Sequence, residues 1–109
     1  MAAGACNDST PHFFPNVAAG TILSWAVTGP AGQFSATVKL KKDADPPQSK
    51  PDSGSETLAV GVYSLAITVL FVTTCEVQVE ASCGAHKFCR KILGAAGTTD
   101  AVALSVVAA

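Results

Sequence analysis

The sequence predicts an all-β fold, an antiparallel sandwich, on three observations. Apolar and polar residues alternate by twos in several separate segments, the pattern of strands with one face buried. Turn signals recur roughly every 8–12 residues, the spacing of sandwich strands. The chain is one domain long, with 109 residues, 49% of them hydrophobic and only 14% charged. That length buries one core.

The elements follow in order. Residues 1–20 are small and polar, and Pro11 and Pro15 oppose helix, so they read as an N-terminal arm preceding a sandwich domain at 21–109. Residues 21–28 form a strand with Leu23, Trp25 and Val27 on its apolar side. Gly29-Pro30-Ala31-Gly32 is a turn signal, and residues 33–41 alternate again: Phe34, Ala36, Val38 and Leu40 against Gln33, Ser35, Thr37, Lys39 and Lys41. The two strands read as a hairpin. Residues 42–55 hold three prolines and almost nothing apolar, so they are expected to form an exposed, mobile loop that shortening would spare. Residues 56–60 are a short strand candidate. Residues 63–72 and 75–81 alternate, and Val102, Leu104 and Val106 mark a last strand. Residues 82–94 differ. Phe88 and Ile92, and Cys89 and Leu93, stand four apart between Ser82 and Gly94, which predicts one short helix near residues 84–93.

Leu58, Gly61 and Tyr63, the last at the start of a strand, resemble the corner before strand F of immunoglobulin-like and fibronectin-like sandwiches. The resemblance implies that the Tyr63 hydroxyl bonds back to backbone a few residues upstream. The immunoglobulin cysteine pattern is not matched: no cysteine stands two residues after Tyr63, and none precedes Trp25 on its own strand. The expectation is therefore an immunoglobulin-like or fibronectin-like architecture rather than a true immunoglobulin domain.

Cys6, Cys75, Cys83 and Cys89 are an even set in a small chain, which points to disulfides and an oxidising compartment: secreted, periplasmic or cell surface. The favoured pairs are Cys83–Cys89, stapling the short helix, and Cys6–Cys75, tying down the arm, with no thiol left free. The other use of these residues is a metal: Cys75, Cys83, His86 and Cys89 formally make a Cys₃His zinc set, but no C-x-x-C knuckle accompanies them. Asn7-Asp8-Ser9 matches a glycosylation acceptor.

A net charge of −1 lacks the basic footprint of a nucleic-acid binder. The longest apolar run, residues 58–72, is shorter than a membrane span and alternates like a strand. No G-x-S-x-G elbow and no phosphate-binding glycine loop occurs. Glu76 and Glu80 stand about 13 Å apart on a strand, too far to act as one carboxylate pair. The expectation is a protein that is not an enzyme and uses no cofactor: an extracellular or cell-surface binding or adhesion module with a protein or glycan partner. His86, Lys87, Arg90 and Lys91 form a basic patch that is the candidate binding site. A structural subunit of a pilus, virion or surface layer is the second reading, because so few charges leave a surface suited to self-association. A small metal-binding protein is the third.

Overall fold

The computed structural model describes residues 6–109. Residues 1–5 of the expected arm lie outside the described residues. The fold is all-β, with two sheets packed face to face. The strands in chain order are β1 (His12–Val17), β2 (Ile22–Thr28), β3 (Phe34–Lys42), β4 (Gln48–Lys50), β5 (Ser53–Thr57), β6 (Gly61–Phe71), β7 (Cys75–Cys83), β8 (His86–Gly94) and β9 (Thr99–Ala108). One sheet runs β1-β9-β6-β3-β4, and the other β5-β2-β7-β8. All pairings are antiparallel except β1 with β9, which is parallel.

Period-2 patterning sets which side chains enter the core. On the five-stranded sheet the register aligns Leu40, Leu65 and Leu104 in one row and Val38, Ile67 and Val102 in the next, all buried. On the other sheet Trp25, Ala81 and Phe88 form a row, so a small residue separates two large rings. Gly94, on the end of β8, lies against the ring of Phe71 from the opposite sheet, where a β-carbon would collide with it.

Four expectations are corrected. The expected helix over residues 84–93 is absent: Gly84-Ala85 is a turn and the rest is strand β8, in which Phe88, Ile92 and Gly94 are buried and Lys87, Lys91 and Leu93 exposed, so the period is two. The apparent four-residue spacing is also a multiple of two, and Gly84, at φ +61°, makes the two-residue turn that closes β7 onto β8. The turn at residues 29–32 does not close a hairpin, because β2 and β3 belong to different sheets. Residues 42–55 are not a free excursion. They carry β4, cross to the other sheet and begin β5; Trp25 Nε1–H donates to Pro51 O at 2.9 Å and Val27 N–H to Asp52 O at 3.0 Å. The arm is not outside the sandwich. Its residues 12–17 are β1, with Phe14 and Val17 buried. Asn16 at φ 58° accompanies the register shift between Phe14 and Val17, and asparagine tolerates that conformation.

The corner at Tyr63 forms. Ala59 N–H donates to the buried Tyr63 hydroxyl at 3.0 Å, four residues upstream.

Candidate functional site

The four residues of the basic patch divide between two surfaces. β8 alternates, so Lys87 and Lys91 point outward, while His86 and Arg90 turn to the seam where β8 meets β1. On the outer face the register sets Lys87 beside Ser82 and Ser24, and Lys91 beside Gln78 and Thr28. Glu76 and Glu80 share that face, and Glu80 accepts a bond from Gln78. The face therefore carries both signs of charge.

The seam has its own chemistry. Both histidines of the chain meet there, 74 positions apart in sequence: His12 packs 5.0 Å from the Phe88 ring, and His86 stacks 5.3 Å from Phe14. Beyond them Arg90 Nη1 donates to Asp8 O at 2.9 Å, its Nε being buried without a partner. Residues 6–8 run along the outer edge of β8. Asp8 N–H donates to Cys89 O at 3.0 Å, Lys91 N–H to Cys6 O at 2.9 Å, and Cys89 N–H to the Asp8 carboxylate at 2.9 Å.

Cys6 and Cys89 are disulfide-bonded, closing a separation of 83 residues. A loop of that length restricts the unfolded chain by about 4.5 kcal/mol in the chain-entropy account. This corrects the expected pairing. Cys83 faces the core from the end of β7 while Cys89 faces outward on β8, so the two cannot bond; Cys75 and Cys83 are buried free thiols. Burial pushes the Cys83 thiol above its ordinary value of 9.0. The formal zinc set is not assembled either. Cys75 and Cys83 sit at opposite ends of β7, about 27 Å apart at strand rise, and Cys89 is oxidised. Among the described residues no group of three or more His, Cys, Asp or Glu is placed to hold a metal.

The most uniform surface is the outer face of β1, β9 and β6. Its outward positions are Phe13 on β1; Ala101, Ala103, Ser105 and Val107 on β9; and Val62, Ser64, Ala66, Thr68 and Leu70 on β6. None is charged. Phe13, Val62 and Leu70 stand 54%, 47% and 43% exposed. Lys39 and Lys41 on β3 border the surface beside Ala66 and Ser64. The low charge of the chain is legible in its sequence, but the gathering of uncharged residues on one face is not, because that face is assembled from strands whose neighbours in space are distant in sequence.

The sheet edges, by contrast, are blunted. β1 contains Pro15, which lacks a donor; β4 and β5 are short and flanked by Pro46, Pro47 and Pro51; and residues 6–8 cover part of β8. Thr10 Oγ1 accepts from Ala103 N–H at 2.8 Å, pairing the edge of β9 just before β1 begins. On the opposite side Lys50 and Glu56, from different sheets, form an ion pair at 3.2 Å. No helix of the described residues is long and apolar enough to cross a membrane. No protein-family model matches this chain, and no curated protein or solved structure matches it.

Proposed function

We propose that this chain is a non-catalytic binding or adhesion module of the extracellular space or cell surface, with an immunoglobulin-like architecture. Its contact surface is the outer face of β1-β9-β6, and its partner is a protein with an equally uncharged contact face. The observation that carries the reading is the run of small, apolar and hydroxyl side chains over neighbouring strands, without a charge, in a domain whose other outer face carries Lys87, Lys91, Glu76 and Glu80. Away from the Lys39 and Lys41 border, a charged partner surface would lose its hydration there and gain no counter-charge. An uncharged one loses little and buries Phe13, Val62 and Leu70. The Cys6–Cys89 bond supports the oxidising location.

Binding of labelled protein to intact cells tests this. Wild type should bind saturably, and Ala66→Lys should stay folded, with a small loss of thermal stability from Lys39 directly opposite, yet lose at least about ten-fold in affinity, since a buried unpaired charge costs more than a factor of ten. Equal binding by the two would remove this face from the proposal. The second reading, a structural subunit, is favoured by the same face if it packs copies together. Light scattering at micromolar concentration separates them: a monomer fits the module, and a growing assembly that Ala66→Lys dissolves fits the subunit.

A further inference from the structure

We infer that the outer edge of β8 is a strand-acceptor site, closed in one molecule by that molecule's own residues 6–8 and open to the same residues of a second copy. The segment is bound to the edge through backbone, side chains and a covalent bond. Its backbone pairs with Cys89 and Lys91, the Asp8 side chain takes the Cys89 N–H, Arg90 reaches back to Asp8 O, and Cys6 is bonded to Cys89. The bridge is antiparallel, between Asn7 and Arg90. An added strand joins a sheet edge through the same kind of main-chain pairing.

The same segment is weakly tied to its own molecule on the other side. Between it and β1 lie only residues 9–11, held by Thr10 on Ala103. Asn7 and Ser9 are exposed. Removal therefore uncovers Cys89 and Lys91 backbone groups and little apolar surface, and the β1 anchors Phe14 and Val17 stay buried. The hydrogen bonds that open when the segment leaves its own β8 form again when the segment of a second copy takes the place. Exchange of identical elements of this kind needs no new interface.

The disulfide decides whether exchange happens. While Cys6–Cys89 is intact, the segment cannot leave. A dithiol reduces the bond to two thiols and is itself oxidised to a cyclic disulfide, which frees the segment. On reoxidation by glutathione disulfide, Cys6 of one copy bonds to Cys89 of another, and the oxidant leaves as two molecules of thiol. Short tethers give effective concentrations near millimolar, so the closed form prevails in dilute solution and the exchanged form where copies are crowded.

The test mixes two variants, Cys6→Ser and Cys89→Ser, at about 500 μM, near the millimolar effective concentration of a short tether, under glutathione disulfide. Only the mixture offers a Cys6 segment to an unlocked Cys89. A covalent dimer at least ten-fold more abundant in the mixture than in either variant alone is the expected result. Equal dimer in all three samples, or none in the mixture, would overturn the inference. Should either variant fail to fold, wild type answers the same question. Reduced ¹⁵N-labelled and unlabelled protein are mixed and reoxidised at the same concentration, and the Cys6–Cys89 peptide is weighed. Mixed-isotope peptides support exchange, and same-isotope peptides alone refute it.

Discussion

Trp25 donates its indole N–H to the carbonyl of Pro51 at 2.9 Å, joining the one tryptophan of the core to the proline-rich crossing between the sheets. Gly54 lies over the same ring, where a β-carbon would stand 3.0 Å from it. The crossing is thus a lid on Trp25 rather than a loop at liberty, and its exposed, polar composition gives no hint of this.

Replacing residues 44–53 by a short Gly/Ser bridge should therefore destabilise the protein by at least about 2 kcal/mol, from two lost backbone acceptors at roughly 1 kcal/mol each and the loss of β4. Urea unfolding followed by Trp25 fluorescence measures it. An unchanged midpoint would mean that the crossing is dispensable.

Tyr63→Phe removes the acceptor of the Ala59 N–H at 3.0 Å and leaves the ring in place. The expected loss is about 0.5–1.5 kcal/mol, the usual net worth of one hydrogen bond. Ala59 is exposed and its N–H regains water, so the low half of that range is favoured. Chemical denaturation of both proteins side by side decides whether the corner contributes.

Thiol titration should find no reactive group in the native protein and two after denaturation without reductant, Cys75 and Cys83. The pH dependence follows from burial. Because the folded-state pKa of Cys83 is raised, the neutral thiol is favoured in the fold. Its contribution is intact below the ordinary value of 9.0 and is lost as pH rises through the folded-state value. Melting temperature should fall above pH 9.0 in wild type and fall less in Cys83→Ala.

Gly94→Ala places a β-carbon in steric overlap with the ring of Phe71. Gly94 and Phe71 are both buried between the two sheets and have little room to yield, so the expected cost is about 1–3 kcal/mol. Adding Phe71→Leu should recover part of it. If Gly94→Ala melts with wild type, the two sheets do not meet there.

Much of this fold is written in period two. β2, β3, β6, β7 and β9 alternate plainly, since one face of each meets the core and the other water. The elements that escaped are held by neighbours rather than by their own pattern. β1 is broken by Pro15 and survives by pairing with β9, and β4 and β5 are short segments among prolines, paired to β3 and β2. β8 alternates too, but Phe88 and Ile92 fit a helix turn equally well; the Gly84-Ala85 turn before them is the better signal. The disulfide partner of Cys89 is not legible in the sequence, because four cysteines allow three pairings and only the path of residues 6–8 along β8 selects one. The same applies to the candidate surface: Phe13, Val62 and Leu70 become one face only once β1, β9 and β6 stand side by side.

The measurement that tests the proposed contact surface most directly is hydroxyl-radical footprinting of the protein free and bound to cells. Phe13, Val62 and Leu70 are exposed on the outer face of the larger sheet, and Ile22 and Leu93, at 54% and 75% exposed, on that of the other. Binding is expected to protect the first three several-fold and to leave Ile22 and Leu93 as reactive as in the free protein. Protection of Ile22 and Leu93, with Phe13, Val62 and Leu70 unchanged, would contradict it.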